Sequence, residues 1–434
     1  MIKNSGHADL PLHTGTVPRW LADRMMVLGT LITESLVENF GPDEVLVRLS
    51  DPLWFQSFGA VMGMDWHSSG ITTSVMYALK RGLNLRAKEL GIYVCGGRGK
   101  YSRMTPDELI QIADKESLQG DSLVRNSKLV AKIDNNAIQD GFQLYQHNFI
   151  LTKTGNWAVV QQGMNINEKK ARRYHWCSSD LRSFVENPHT GVVGDNLGKI
   201  LNLTDEKART ARDSILDLSL QDTEKVINEI TQIRKPASEM ILFSGGKVEP
   251  IKNVPLQGEL FESEEIKSQK PVEIQSAGRS IIMPAHHEVL AEDVDLKRLG
   301  GVLATAYESQ PKDFESLMLT PGLGPRTLQS LALVSEVIYG TPSRFKDPAR
   351  FSFAHGGKDG HPFPVPLKIY DESIRILRES IEKSKLGYKD KSECIKRLHT
   401  TALNFERNCS PEVDFDAAIQ FEREHSKEWD GKTV

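Results

Sequence analysis

Cysteine is scarce in this sequence of 434 residues, and its spacing excludes two classes of small-domain architecture. The four cysteines are far apart, and no two of them stand in C-x-x-C spacing: Cys95, Cys177, Cys394 and Cys409. Zinc fingers need cysteine pairs at that spacing, and disulfide frameworks occur in short secreted chains. We therefore expect neither a zinc finger nor a disulfide-stabilised fold.

Long apolar runs are also missing. No stretch reaches the roughly 20 consecutive apolar residues of a membrane-spanning helix. The N-terminal segment MIKNSGHADLPLH lacks the apolar centre of a signal peptide. These absences predict a cytoplasmic protein without a membrane partner.

Positive charge is not in excess, because the formal net charge is -4. A uniformly basic surface for nucleic acid is therefore excluded, and such a partner would be held by small basic patches and oriented backbone amides. The length predicts more than one domain. We predict an α+β fold with a mixed α/β domain at 1–243, a linker rich in Gly, Pro, Glu, Ser and Lys at 244–279, and an α-helical domain at 280–434.

A helix-hairpin-helix is predicted at 311–340. Apolar residues at helical spacing lie on both sides of Pro321-Gly322-Leu323-Gly324, and Pro325 suits the first turn of the second helix. The glycines remove β-carbons that would hold a phosphate away, so amides at the helix start can face an anion. We expect a DNA backbone here, bound without regard to sequence. The candidate contacts are Pro321, Gly322, Leu323, Gly324, Arg326, Thr327 and, in a later polar loop, Lys358. An ordinary helix connection is the alternative.

A glycine-rich segment with cations follows a predicted strand at 90–95. Glycines and cations after a strand suit a phosphate, but the P-loop pattern fails, since Val94 replaces its first glycine and Tyr101 its Ser/Thr. A solvated loop is the alternative. The candidate phosphate contacts are Gly96, Gly97, Arg98, Gly99 and Lys100.

Polar residues that could take part in catalysis are frequent between 123 and 176. Strands are predicted at 142–151 and 156–162, with a turn at Lys153-Thr154-Gly155. The most basic run, 169–176, carries two aromatics; such a run can grip a phosphate and stack a base, or form a solvated charged turn. The candidate catalytic residues are Asp65, His67, Lys132, Asp134, Asp140, Arg172, Arg173 and His175.

Seven segments together resemble one known family. In chain order they are ADLPLH at 8–13 followed by PRWL at 18–21, DWHSSG at 65–70, DGFQLY at 140–145, WAVVQQGMN at 157–165, RRYHW at 172–176 and FAHGGKDG at 353–360. The sequence is similar in these motifs to the prokaryotic family catalogued as domain of unknown function seven-six-three. The resemblance implies an intracellular archaeal or bacterial protein with a helix-hairpin-helix near its C-terminal end, and it implies no chemistry.

The leading functional hypothesis is DNA processing, in repair, by a metal-dependent nuclease. Phosphodiester cleavage needs carboxylates, sometimes with histidine, to hold a hard cation such as Mg²⁺ or Mn²⁺, and a further cation for the developing charge. Lys132, Arg172 or Arg173 would supply that charge. The candidate metal ligands are Asp65, His67, Asp134 and Asp140. A satisfied buried polar group or a turn residue is the competing interpretation for each of them.

Two alternatives stay open. One is a monofunctional DNA glycosylase, because a glycosylase superfamily uses a similar hairpin. Arg326 occupies the position of the lyase lysine and, being always protonated, cannot form a Schiff base. Asp359 or Asp371 would have to supply the carboxylate of such an enzyme. The other alternative is a non-catalytic DNA-binding adaptor. An enzyme acting on a small molecule or a free nucleotide is also open, with Gly96 to Lys100 as its phosphate loop, and a hairpin that binds no DNA would favour it.

Overall fold

A computed structural model describes most of the chain. It covers residues 19–64, 69–166, 169–198, 200–233, 241–244, 247–250, 272–276, 279–283, 296–339, 341, 346–349 and 367–408. Three predicted site residues, Asp65, His67 and Lys358, lie outside the described residues. Asp359, one of the two candidate carboxylates for glycosylase chemistry, also lies outside them, as does most of the predicted linker.

The elements are numbered in chain order. The first half contains α1 (Arg19–Phe40), α2 (Pro42–Ser50), α3 (Pro52–Val61), α4 (Gly70–Leu83), α5 (Ala87–Leu90), β1 (Ile92–Arg98), α6 (Thr105–Glu116), α7 (Gly120–Lys132), β2 (Ile138–Gln139), β3 (Gln143–Thr152), β4 (Trp157–Asn165), β5 (Lys170–Cys177), β6 (Gly191–Val193) and β7 (Leu201–Asn202). The second half contains α8 (Arg209–Ser219), α9 (Thr223–Ile233), β8 (Ile241–Ser244), β9 (Lys247–Pro250), β10 (Val272–Ser276), β11 (Arg279–Met283), α10 (Leu296–Ser309), α11 (Phe314–Met318), α12 (Pro325–Tyr339), α13 (Leu367–Lys383) and α14 (Tyr388–Asn408). This mixture of helix and sheet confirms the predicted α+β class.

The described residues divide into two compact units that interleave along the chain. The first unit takes the described residues up to 135, those from 140 to 198, and those from 347 onward. The second takes 136–139 and the described residues between 200 and 346. The domain boundaries at 243 and 280, which were drawn from composition, stay a prediction.

A five-stranded sheet in the order β1-β3-β4-β5-β6 is the centre of the first unit, and every neighbouring pair is antiparallel. The hairpin of β3 and β4 around Gly155 confirms the predicted pair of strands. Side chains alternate between the two faces of a strand. Ile150 and Val160 therefore point to the helical core formed with α1 to α4, whereas His147 and Gln161 point to the opposite face.

The structure contradicts both predictions made for the basic run at 169–176. The run is neither a solvated turn nor an exposed grip for nucleic acid, because it forms the inner strand β5, and Arg172 and Arg173 are completely buried in it. Neighbouring residues of a strand face opposite sides, so the two guanidinium groups lie on different faces of the sheet. Hydrogen-bonding partners on both faces make this burial of charge tolerable.

Helices dominate the second unit. Buried apolar side chains of α8, α10, α11 and α12 form its core, among them Ile215, Leu303, Leu317 and Leu331. The short ladder of β2 and β7 belongs to the same unit. In the parts of the chain that the structure describes, no helix combines the length and the apolar character needed to cross a membrane.

Gly96 and Gly99 provide a matched test of packing in the glycine-rich segment. Both have positive φ, +82° and +59°, so alanine at either position should cost about 1 kcal/mol of strain. A β-carbon at Gly96 would also lie 2.2 Å from the carbonyl oxygen of His147, whereas one at Gly99 meets open space. We expect Gly96→Ala to lower the free energy of urea unfolding by at least about 2 kcal/mol more than Gly99→Ala. Equal losses would contradict this packing.

Candidate functional site

Arg172 is the centre of a buried ionic cluster on one face of the sheet. Its Nη1 donates to Asp140 Oδ2 at 3.0 Å and to Asp347 Oδ1 at 3.0 Å, and its Nη2 donates to Asp347 Oδ2 at 2.6 Å. The guanidinium carbon lies 4.8 Å from the ring centroid of Phe142. The bidentate pairing with Asp347, in which both terminal nitrogens donate to the two carboxylate oxygens, is a strong arrangement of an arginine and a carboxylate. Arg172 is thus committed to two carboxylates of the protein itself.

Asp140 is fully engaged in the same cluster. It accepts the hydroxyl of Tyr174 at 2.6 Å and the amide of Phe142 at 3.0 Å, in addition to Arg172. Burial raises the pKa of Asp140 to about 6, and the charge of Arg172 and the hydroxyl of Tyr174 oppose that rise. The structure brings together Asp140 and Arg172, two predicted catalytic residues, as an internal ion pair.

Arg173 and His175 lie on the opposite face and contact one another. Arg173 Nε donates to His175 Nε2 at 2.7 Å, and its Nη2 donates to Gln56 Oε1 at 2.9 Å. The other ring nitrogen of His175 donates to the carbonyl of Leu49 at 3.0 Å. Burial lowers the pKa of Arg173, and burial together with the adjacent Arg173 holds the pKa of His175 well below its usual value. Both ring nitrogens of His175 are occupied, which leaves neither one directed at a ligand.

Asp134 anchors a third buried network. Its carboxylate accepts the indole N–H of Trp176 at 2.9 Å, the Nε2–H of His189 at 2.5 Å and the side-chain amide of Gln161. The amide oxygen of Gln161 in turn lies 2.6 Å from Nδ1 of His147. Burial lowers the pKa of His147, which keeps its ring neutral. Lys132, two residues before Asp134 in the chain, is half-buried, and burial lowers its pKa too.

The glycine-rich segment is held by an internal carboxylate at its first glycine. The amide of Gly96 donates to Glu108 Oε2 at 2.6 Å, and Lys80 bridges Glu108 and the carbonyl of Gly96. Gly97 continues the β1–β3 ladder. Residues 98–100 are exposed. Of the predicted phosphate contacts, these three are therefore the most open to a ligand from solvent, and Gly96 is buried.

The predicted hairpin is an exposed turn between α11 and α12. Pro321, Gly322, Pro325 and Arg326 are exposed, whereas the side chains of Leu323 and Thr327 are buried. Gly322 has φ +80°, a conformation in which glycine is favoured. The turn thus presents its backbone and one cation to solvent, while Leu323 anchors it to the core.

Two side-chain amides hold this turn from within its own unit. Asn136 Nδ2 donates to the carbonyl of Leu323 at 3.2 Å, and Gln139 Nε2 donates to the carbonyl of Pro325 at 3.0 Å. These two turn carbonyls are therefore satisfied by protein donors. Among the described residues, the backbone amides of Gly324, Arg326 and Thr327 have no acceptor, since they precede the first intrahelical bond, from Leu328 to Gly324.

The sequence did not reveal several of these residues. Asp347, Asn136 and Gln139 stand in no recognisable motif, and each acts on a residue far away in the chain. The signal for Asp347 is indirect, because an arginine in a buried strand requires polar partners from elsewhere in the chain.

No metal centre is assembled by the described residues, among which no three His, Cys, Asp or Glu side chains are grouped so as to hold an ion. Asp134 and Asp140 are each occupied by donors of the protein. The metal-site hypothesis consequently depends on Asp65 and His67, which lie outside the described residues.

Comparison with known proteins gives one match. The model of a family described as "Protein of unknown function (DUF763)" matches residues 6–365, which is most of the chain. No curated protein and no solved structure matches the chain. The resemblance drawn from the seven motifs is thereby confirmed, and the helix-hairpin-helix stays a prediction.

The ionic cluster predicts that Asp347→Asn is strongly destabilising. The substitution breaks a pair that is completely buried and leaves Asp140 as the remaining carboxylate partner of Arg172, and breaking such a pair should cost about 3–5 kcal/mol of unfolding free energy. The matched control is Glu379→Gln, which breaks exposed pairs with Arg375 and Lys383 on α13 and should cost under about 1 kcal/mol. Urea unfolding measures both, and similar small losses would show that the buried cluster does not hold the fold.

Proposed function

The chain belongs to the DUF763 family, which assigns no chemistry, and we propose from the residues themselves that it binds the DNA backbone through the turn between α11 and α12. One observation carries this proposal: the amides of Gly324, Arg326 and Thr327 lack acceptors in the described chain and lie together at the start of a helix of 15 residues. Such a helix start attracts anions, because unpaired N–H groups and the helix dipole both favour negative charge.

The composition of the turn supports a phosphate as the anion. Gly324 has no β-carbon, and the glycine leaves its amide accessible to a bulky group such as a phosphodiester. Arg326 is exposed beside these amides and adds a positive charge with a fork of donors suited to phosphate oxygens. None of these groups reads a base edge, so we propose binding that is independent of sequence.

Preorganisation supports the same function. Asn136 and Gln139 fix the carbonyls of Leu323 and Pro325, so the turn does not have to be ordered when a ligand binds. A net charge of -4 fits a small local contact of this kind better than an extended basic groove.

Cleavage by a metal-dependent nuclease stays a prediction for the same protein, with its candidate ligands Asp65 and His67 outside the described residues. The glycosylase hypothesis likewise keeps Asp371, which lies on α13, and Asp359, which lies outside the described residues. No observation favours either chemistry over binding alone.

The proposal predicts that Gly324→Val weakens DNA binding while the fold survives. A β-carbon at Gly324 meets no atom closer than 3.9 Å, so it causes no clash, and the valine side chain would keep a phosphate from the amides. We expect the Kd for a labelled duplex, measured by fluorescence anisotropy, to rise about tenfold, which corresponds to about 1.4 kcal/mol.

Gly301→Val on α10 is the matched control, because a β-carbon there meets nothing within 4 Å and the position is outside the turn. Its Kd should stay within about twofold of the natural protein. Unchanged binding by a folded Gly324→Val variant, judged by circular dichroism, would refute the proposed contact.

A further inference from the structure

A pocket of about 190 Å³ opens in the first unit between the segment after β1, the helix α7 and the strand β3. Its wall includes Arg103, Ser127, Lys128, Tyr145 and His147. None of these side chains takes part in the proposed DNA contact. The pocket therefore needs an explanation of its own.

Ser127 and His147 form a hydrogen-bonded pair at this wall. The Oγ of Ser127 lies 2.9 Å from Nε2 of His147, and Nδ1 of His147 lies 2.6 Å from Oε1 of Gln161. An amide oxygen only accepts, so Nδ1 carries the proton and Nε2 must accept the Ser127 hydroxyl. The imidazole is thus held in the one tautomer in which it can take a proton from the serine.

The hydrogen-bonding partners of Gln161 hold that tautomer in place. The amide N–H of Gln161 donates to Asp134, which also accepts from Trp176 and His189. Gln161 cannot rotate by half a turn without directing its amide nitrogen at the proton on His147 and its oxygen at a carboxylate. The order serine, histidine, orienting acceptor is the arrangement that activates a serine nucleophile, and it is recognised by geometry rather than by position in the chain.

The pocket also has two cations without counter-ions. Arg103 and Lys128 are exposed at its wall, and in the described chain neither forms an ion pair. Two such cations beside an apolar and hydroxyl-bearing wall favour a ligand with a negatively charged group.

We propose that Ser127 is the nucleophile of a serine esterase site whose substrates are small carboxylic esters that carry an anionic group. Arg103 and Lys128 bind that group, and the ester carbonyl lies at Ser127 Oγ. Ser127 Oγ forms a bond to the carbonyl carbon while its proton passes to Nε2 of His147. The bond between that carbon and the alcohol oxygen then breaks, and the alcohol leaves with the proton from Nε2.

Water completes the cycle. It gives a proton to Nε2 of His147 as its oxygen attacks the acyl carbon, and the bond to Ser127 Oγ breaks as Oγ takes that proton back. The products are one alcohol and one acid for each ester and water consumed, and no oxidant or reductant is needed. Asp134 and Gln161 are positioning residues in this scheme, because they act on the substrate only through His147.

The test uses the full chain and two 4-nitrophenyl esters, the neutral acetate and the anionic glutarate monoester. We expect hydrolysis of both by the natural protein, with a higher kcat/KM for the anionic ester. Ser127→Ala should lower kcat/KM by at least about 100-fold. Ser122→Ala, an exposed position on the same helix, should change it by less than about threefold. Replacing both Arg103 and Lys128 by alanine should reduce the preference for the anionic ester at least about tenfold, or about 1.4 kcal/mol.

Covalent labelling provides a readout that does not depend on turnover. A fluorophosphonate should add its phosphonyl mass to the peptide that contains Ser127, with loss of fluoride, and His147→Gln should abolish the labelling while circular dichroism stays unchanged. The proposal is overturned if Ser127→Ala hydrolyses the esters as fast as the natural protein, if the label lies on another residue, or if the natural protein neither turns over an ester nor takes the label. None of these results bears on DNA binding, so the two proposals fail separately.

Discussion

The pairing of Arg172 with Asp140 and Asp347 is the interaction on which the first unit depends. A guanidinium that is completely buried carries a large desolvation cost, and at Arg172 two carboxylates with good geometry offset it. Asp347 lies 175 positions further along the chain than Arg172. The chain must therefore return to the sheet after the second unit, which explains why the first unit is assembled from segments on both sides of the second.

Asp347 also orders its surroundings, because its carboxylate accepts the amides of Leu197 and Ala349 at 2.7 and 2.8 Å. These bonds connect two loop segments to the same buried charge. The first unit thus has a polar centre that specifies one arrangement of distant segments, in addition to the apolar core that α1 to α4 form on the other face of the sheet.

Arg172 and Arg173 are neighbours in β5, and their side chains lie on opposite faces of the sheet. Their roles therefore differ. Arg172 faces carboxylates and is structural. Arg173 faces the neutral groups of Gln56, Thr72 and His175. On the Arg172 face of the sheet, Asp134 and Gln161 are directed at His147 and the Ser127 pocket. Buried polar residues in one sheet thereby support both the fold and a candidate reactive pair.

Local patterns in the sequence predicted local structure well. The alternation of residues and the turn at Gly155 predicted the β3–β4 hairpin, and apolar spacing predicted α12. The α+β class was predicted as well. These features depend on residues close together in the chain. The burial of the basic run was not predictable in this way, because the groups that compensate Arg172 come from Asp140 and Asp347.

The roles of Gly96 and of the histidines were also not predictable from sequence motifs. Gly96 suggested a phosphate loop, but in the structure its lack of a β-carbon accommodates the carbonyl of His147, and its amide is taken by Glu108. His67 and His175 drew attention through their motifs, whereas His147, in a strand of mixed polarity, has the serine partner. A sequence motif does not show which ring nitrogen is occupied, and that property decides what a histidine can do.

Hydrogen–deuterium exchange of the full chain, with and without a saturating short duplex, tests the proposed DNA contact most directly. The amides of Gly324, Arg326 and Thr327 lack acceptors in the described chain, so they should exchange fast in the free protein. If a phosphodiester accepts from them, peptides that cover 322–328 will exchange more slowly once DNA is bound. DNA that binds without slowing exchange in these peptides would contradict the account and place the contact elsewhere.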